Sequence, residues 1–179
     1  MKSIEIDGSK LEIVEGDITQ QETEAVVNAA NKRLAPGGGV AGAIHRTAGP
    51  ELYEECKKFG YCETGEAELT GGYNLRADHV IHTVGPVFSG TDDDEIYLRK
   101  SYSNSLGIAS ANNIESVSFP AISTGAFGYP TKEATYIALE EIKEFLEEND
   151  LPKLVRVVLY SQEDYNIHEE AFDEIFDEL

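Results

Sequence analysis

The stretch Val26-Val27-Asn28-Ala29-Ala30-Asn31-Lys32-Arg33-Leu34-Ala35-Pro36-Gly37-Gly38-Gly39-Val40-Ala41-Gly42-Ala43-Ile44-His45-Arg46-Thr47-Ala48-Gly49 carries two periodicities joined by glycine. A short apolar run closes in a polar box holding Asn28 and Asn31, and a triple glycine follows. Beyond it, Val40, Ala43, Ile44, Thr47 and Ala48 recur at spacings of three and four, one face of a helix. The stretch therefore predicts strand, loop and helix, with Gly37, Gly38 and Gly39 where the helix begins. The first N–H groups of a helix have no intrahelical partner and sit at the positive end of its dipole. Glycines there let a ligand come close to the main chain. The chemical complement of such a place is an anion, most often a phosphate.

The rest of the composition bears on what that anion belongs to. At 179 residues, 41% of them apolar and 27% charged, the chain is sized and composed as one globular domain over residues 1–179. Lys and Arg number 14 against 34 Asp and Glu, a net charge of −20. Such a surface repels duplex nucleic acid and anionic membranes, which are bound through many Lys and Arg contacts. A phosphate ligand must then be held locally by backbone dipoles against the field of the whole molecule. Two cysteines, Cys56 and Cys62, make no disulfide framework. No signal peptide opens the chain, and no apolar run approaches the ~20 residues of a membrane span, so the expected address is the cytoplasm.

On the N-terminal side, Ser3 to Asp7 and Leu11 to Glu15 alternate apolar and polar residues around Asp7-Gly8, a hairpin pattern. Gly16-Asp17-Ile18-Thr19 ends the second strand, with Thr19 placed to cap a short helix and Glu22 three residues on. Ala25 to Asn28 reads as a buried strand. On the C-terminal side, Pro50 opens a helix from Glu51 to Phe59, with Leu52, Cys56 and Phe59 inward. Ala67 to Gly71 and Asp78 to Val84 read as strands, and Ile96 to Asn112 as a helix. His79 and His82, three apart on a strand, point to opposite faces and form no simple clamp; no metal site is expected. Ser116 to Pro120 is a short strand leading into Ser123-Thr124-Gly125-Ala126-Phe127-Gly128, a second glycine loop feeding a helix from Thr131 to Glu148. Leu154 to Tyr160 is a dense β-branched strand expected near the sheet centre, and Tyr165 to Leu179 an amphipathic helix.

Alternating strands and helices predict an α/β fold, parallel in its middle, with a hairpin strand at one edge. Gly16 to Thr19, Asn28 to Gly39, Ser123 to Gly128 and Tyr160 all follow strands, so they gather on the rim where ligands bind such sheets. Neither glycine loop is a Walker motif, and no G-x-G-x-x-G with a distant acid appears. Phe127 and Tyr160 offer flat faces for a base or sugar, Asp17 an acceptor for an exocyclic amine, and Asn28 and Asn31 partners for ribose hydroxyls. The inventory fits a nucleotide with a diphosphate and a second sugar.

With those residues in view, the chain resembles a macrodomain, the ADP-ribose-binding module built as a three-layer α/β/α sandwich with a mixed, centrally parallel sheet. The matching segments are Gly16-Asp17-Ile18-Thr19, Val27-Asn28-Ala29-Ala30-Asn31, Gly37 to Gly42, Ile81-His82-Thr83-Val84-Gly85-Pro86 and Phe119 to Tyr129. The resemblance is closest to the branch that hydrolyses ADP-ribosyl esters, on acidic side chains of mono-ADP-ribosylated proteins and in O-acetyl-ADP-ribose. It implies Asp17 and Ile18 at adenine, with Tyr160 stacked on it. Gly37, Gly38, Gly39 and Val40 would wrap one side of the diphosphate and the distal ribose, and Ser123, Thr124, Gly125, Ala126 and Phe127 the other. Asn31 would fix the distal ribose, and Asn28 would brace the loop or sugar from beneath. It implies no cofactor, and a monomer is expected.

One position departs from the hydrolytic pattern, which carries Asp where this chain has Ala41. The general base that Asp would supply is missing. The resemblance then implies a substrate-assisted route, with a water between a substrate phosphate oxygen and the backbone at Gly39 and Ala126, and Asn31 holding the ribose. His45, two turns into the helix, is read as structural. The other readings are a non-catalytic ADP-ribose reader and a phosphatase acting on ADP-ribose 1″-phosphate.

Overall fold

Period-two alternation along the strands sends neighbouring residues to opposite faces of one sheet, and each face builds its own core. The computed structural model describes residues 1–177. The strands are β1 (Lys2–Ile6), β2 (Ser9–Glu15), β3 (Ala25–Ala29), β4 (Ala67–Gly71), β5 (His79–Thr83), β6 (Ser116–Phe119) and β7 (Leu154–Leu159). The helices are α1 (Gly39–Ala48), α2 (Pro50–Cys56), α3 (Asp93–Ala111), α4 (Thr131–Glu148) and α5 (Gln162–Phe176), with a 3-10 turn at Ile18–Gln20. Val26, Val80 and Val158 face one way and pack with Ile44 of α1 and Leu52 of α2. Their neighbours Val27, Ile81 and Val157 face the other way and pack with Leu106 of α3, Leu139 of α4 and Phe172 of α5. The result is the expected α/β/α sandwich.

The sheet has seven strands in the order β1-β2-β7-β6-β3-β5-β4. The five inner strands run parallel. β1 turns back on β2 through the Asp7-Gly8 turn, with Ile6 opposite Ser9. The opposite edge is antiparallel as well, β4 against β5, where the sequence reading had one reversed edge. Residues 72–78 are too few for a crossover, which needs about a dozen or more, so the second strand of that pair must return beside the first. β7 lies between β2 and β6, in the interior of the sheet.

Several element ends differ from their sequence assignments for local reasons. Asp17, not Thr19, caps the 3-10 turn; its Oδ1 accepts from the Thr19 amide at 2.9 Å and from Thr19 Oγ1 at 2.7 Å. α2 stops at Cys56, and Phe59 lies in the turn beyond it, partly exposed rather than inward. α5 starts earlier than Tyr165 because Ser161 Oγ accepts from the Asp164 amide at 3.1 Å. Leu179, placed on the inner face of that helix by its spacing, lies outside the described residues. Cys56 is fully buried, and burial pushes its thiol up to about 11, as expected of a core residue.

Because five strands run the same way, β2, β3, β5, β6 and β7 all end on one rim. β3 and β6 are neighbours, yet the chain leaves β3 toward α1 on one face and β6 toward α4 on the other. A crevice opens where neighbouring strands send their chains to opposite faces.

Candidate functional site

The crevice holds two connected lobes. The first, about 340 Å³, is lined by the Asn31 and Gly37–Ala41 segments on one side and by Ile122, Ser123 and Gly125–Phe127 on the other. The second, about 520 Å³, runs past Gly39, Val40 and Gly125 to Asp17, Ile18 and Tyr160. Gly39, Val40, Ala121 and Gly125 line both lobes, so the two form one elongated groove across the ends of β2, β7, β6 and β3. Two lobes that meet at that shared lining, the waist, suit a ligand with a central linker and a group at each end.

The waist is built from main chain. In α1 the amide of Gly42 donates to the Gly38 carbonyl at 3.1 Å, and the amides of Gly39, Val40 and Ala41 precede that bond without an intrahelical partner. They sit at the positive end of the helix, and Gly37, Gly38 and Gly39 are exposed toward the groove. What holds this loop against the helix is a residue three positions past the triple glycine. A Cβ at Gly42 would lie 2.2 Å from the Gly37 carbonyl oxygen, so only glycine allows the loop to fold down on the first turn of α1.

The opposite wall works differently from its sequence reading. The loop after β6 does lead to α4, but that helix starts only at Thr131, after Pro130. The loop folds as turns of its own: the Gly128 amide donates to the Gly125 carbonyl at 3.0 Å and the Tyr129 amide to the Ser123 carbonyl at 2.9 Å. Among the described residues the amides of Thr124, Gly125, Ala126 and Phe127 have no partner. A concave run of free amides of this kind favours an anion without a helix dipole. Ser123 has a φ of 69°, uncommon for a residue with a side chain, and its buried hydroxyl has no hydrogen-bond partner. Gly85 makes room for it, since a Cβ there would lie 2.2 Å from Ser123 Oγ and 2.5 Å from Ile122 Cγ2.

The polar side chains named from the sequence divide into two groups. Asp17 and Tyr160 stand at the far end of the second lobe, Asp17 exposed apart from its capping bonds and Tyr160 86% exposed, with its ring open to stacking. Ile18 is buried beside them. Asn31 lines the first lobe, but its amide is engaged in its own loop: Nδ2 donates to the Ala35 carbonyl at 2.8 Å, and Oδ1 accepts from the amides of Ala35 at 3.0 Å and Arg33 at 3.2 Å. Thr124 donates its hydroxyl to the Ala121 carbonyl at 3.0 Å and lines the second lobe. Asn28 is fully buried beneath the groove and lines neither lobe. Its Nδ2 lies 3.0 Å from His82 Nδ1, whose Nε2 lies 2.9 Å from Thr70 Oγ1. With Asn28 donating, His82 is the neutral tautomer carrying its proton on Nε2. Burial, reinforced by nearby His45, pushes the His82 pKa down to about 3. His45 is buried, lies outside both lobes, and packs edge-on against Tyr53 with ring centroids 6.1 Å apart.

Arg46 was passed over in the sequence and lines the second lobe, seven residues after Gly39 on α1. It makes no ion pair among the described residues and is the lobe's sole basic residue. Its helical spacing from Gly39 was the available signal. Gly42 and Gly85 were quoted in motifs, but their packing role was not readable there. Among the described residues the first lobe is lined by no titratable side chain: Ala41 sits buried in its wall, and the polar groups around it are amides and one hydroxyl. Among the described residues no group of three or more His, Cys, Asp and Glu could hold a metal ion.

The comparisons with known proteins agree with this geometry. The Macro domain family model matches residues 27–138, which run from β3 through both glycine loops into α4. The chain is 47% identical over 175 residues to an O-acetyl-ADP-ribose deacetylase of Citrobacter koseri, covering 95% of this chain and 99% of that one. It is 46% identical over 171 residues to an ADP-ribose glycohydrolase of Xenopus laevis, covering 93% of this chain and 41% of that longer one. Among solved structures, a mutant Oceanobacillus iheyensis macrodomain with ADPR superposes with a TM-score of 0.95 at 43% identity, covering 98% of each chain. Fold, groove and sequence likeness lead to one assignment: this chain belongs to the Macro domain family.

Proposed function

We propose that the chain binds ADP-ribose in the two-lobed groove and hydrolyses ADP-ribosyl esters, those on acidic side chains of mono-ADP-ribosylated proteins and O-acetyl-ADP-ribose. The observation that carries this reading is the waist, where two segments with unpartnered amides, Gly39 to Ala41 and Thr124 to Phe127, line one shared space. That arrangement suits a diphosphate on a molecule whose net charge is −20. The adenosine end belongs in the second lobe, with adenine against Tyr160 and its amino group donating to Asp17. Arg46 adds one charge beside the diphosphate. The distal ribose belongs in the first lobe, between Gly37–Val40, Asn31, Ser123 and Phe127. The names of the Citrobacter and Xenopus relatives support a hydrolase in general; the ester specificity is our reading of the site.

The mechanism follows from what the first lobe lacks. With no titratable side chain lining it, the protein offers no base to take a proton from water. The substrate's own diphosphate, held a few atoms away, accepts that proton. Water held near the backbone of Gly39 and Ala126 attacks the ester carbon or the anomeric carbon. A phosphate oxygen takes the water's proton and returns it to the oxygen released as the C–O bond breaks, so that the carboxylic acid and free ADP-ribose are the products. Asn31 acts by positioning, since its amide fixes the loop over the ribose. Rate enhancement then comes from orientation and fixed dipoles.

The same bare lobe favours the second reading, an ADP-ribose reader without chemistry. Incubation with a glutamate-linked mono-ADP-ribosylated protein and with O-acetyl-ADP-ribose, following free ADP-ribose over time, separates the two. Release that is flat or rising with pH, without the two-sided profile of enzyme acid and base, is expected of the hydrolase. Tight ADP-ribose binding with no release above the uncatalysed rate would leave the reader.

A further inference from the structure

A third cavity, of about 460 Å³, lies on the other side of the Phe127–Tyr129 segment from the groove. We infer that it seats a lysine or arginine side chain of the polypeptide that carries the ADP-ribosyl group, which makes it a recognition pocket for sequence next to the modified residue. This rests on the groove being the ADP-ribose site.

Three observations converge. The first is chemistry. Phe88, Tyr129 and Tyr136 supply aromatic walls, while Asp92, Glu95 and Glu133 stand around the opening. The cavity's one cation among the described residues, Arg99, is already paired with Glu95 at 3.1 Å, Glu140 at 3.1 Å and Glu141 at 3.4 Å. Asp92 and Glu133 take no ion-pair partner among the described residues, so negative charge is left over. Aromatic faces beside unpaired carboxylates are the surroundings that hold a guanidinium or ammonium group.

The second observation is a single hydroxyl. Tyr129 is only 5% exposed, and its hydroxyl takes part in no hydrogen bond among the described residues. Tyr129 lines the cavity together with Asp94, Glu95, Arg99 and Glu133. A tyrosine hydroxyl is a neutral phenol at neutral pH, and its oxygen can accept from a cationic N–H.

The third is continuity with the groove. The Phe88 amide donates to the Phe127 carbonyl at 2.8 Å, and the Phe88 and Tyr129 rings pack with centroids 5.1 Å apart. Phe127 lines the first lobe, where the ester bond would lie, and Tyr129, two residues on, lines the cavity. A polypeptide attached to the distal ribose leaves the first lobe over this segment and meets the cavity next.

The test uses the intact chain and two synthetic peptides, each ADP-ribosylated on one glutamate, with either arginine or glutamine on both sides of it. Fluorescence polarisation at low salt should give the arginine peptide about tenfold tighter binding, from one partly shielded ion pair and one cation–π contact. The advantage should shrink in high salt and disappear in the Asp92→Asn/Glu133→Gln double variant, while the affinity for free ADP-ribose is unchanged. Tyr129→Phe should lose part of it. Equal affinities for the two peptides, or an advantage that survives the double variant, would overturn the inference while leaving the groove intact. Failure of the wild-type chain to bind free ADP-ribose would instead remove the groove reading, and this inference with it. Binding is the readout, so a chain that reads without cleaving is tested equally well.

Discussion

The substitution Gly42→Ala tests the main-chain waist most directly, because Gly42 itself lines neither lobe and acts only through the loop packed on it. Alanine in a helix interior ordinarily stabilises by about 0.5–1 kcal/mol relative to glycine. Here the added methyl would lie 2.2 Å from the Gly37 carbonyl oxygen, 3.3 Å from the Gly37 carbonyl carbon and 3.0 Å from Arg46 Nη1. Carbon and oxygen prefer to be well over 3 Å apart, so the loop carbonyl must retreat by about 1 Å. Overpacking of this kind costs about 1–3 kcal/mol, which outweighs the helix gain and leaves a net loss of roughly 1–2 kcal/mol in urea unfolding. The larger effect falls on the ligand. Moving Gly37 and its neighbours takes at least one amide out of reach of the diphosphate, and a hydrogen bond to a charged group contributes about 1.5–3 kcal/mol. Titration calorimetry with ADP-ribose should therefore show binding weakened about 10- to 100-fold. Gly107→Ala in α3, where nothing lies within 4 Å of the added carbon, is the control and should keep the affinity while gaining the ordinary ~0.5–1 kcal/mol of helix stability. If Gly42→Ala bound ADP-ribose as tightly as the wild type, the position of this loop would not be what grips the ligand.

The remaining predictions follow from individual side chains. Asp17→Ala should weaken ADP-ribose by about 1–3 kcal/mol by calorimetry, through loss of an acceptor for a buried amine, and unchanged affinity would discredit the adenine end of the groove. Asn31→Ala unties three hydrogen bonds within residues 31–35, so turnover should fall together with order in that loop; cleavage of a glutamate-linked substrate at the wild-type rate would refute its positioning role. Ala41→Asp puts a carboxylate in the wall of the first lobe and in the first turn of α1, where the helix dipole tolerates it. The rate of ester release should rise about 10²-fold, the lower end for a positioned base, and no change would mean that proton removal from water does not limit the reaction. Acid should destabilise the fold before the carboxylates titrate. His45, His82 and His168 are buried and hold their pKa values below the ordinary 6.5, so the unfolded chain binds more protons than the folded one in that range. Their contribution is complete above pH 6.5 and is lost as pH falls toward the folded values, up to about 1.4 kcal/mol per pH unit for each fully shifted histidine. Urea unfolding between about pH 7 and 5 should show that slope, reduced in His82→Gln; a flat profile would mean these imidazoles are hydrated when folded.

Much of the architecture was legible because it depends on local periodicity. The short buried run of β3 and the dense β-branched run of β7 marked interior strands, while the assignment of Val26 and Val27 to separate cores came from the folded sheet. Strand-end loops were readable for the same reason: a strand followed by glycine and a helical period leaves its loop on one rim. Errors fell where a local pattern admits two outcomes. Asp17 and Thr19 both suit a cap, and only the backbone at Asp17, extended at φ −107°, made it the capping residue. The spacing of Leu52, Cys56 and Phe59 fits a longer helix, but the chain turns after Cys56 and leaves Phe59 partly exposed.

The sequence by itself determined that a glycine-opened helix follows a buried strand, that an anion suits its entrance, and that basic side chains are too few to grip one broadly. Those properties reside in neighbours along the chain, where spacing sets both direction and exposure. The tertiary structure decided what depends on residues far apart in sequence. Gly85 makes room for Ser123, Gly42 seats Gly37, Arg46 joins Asp17 and Tyr160 along one lobe, and no titratable side chain reaches the place where the ester would lie. Such facts arise only when separate loops are brought to one rim by the strand order, because contact distance, unlike periodicity, is set by the packing of the whole sheet.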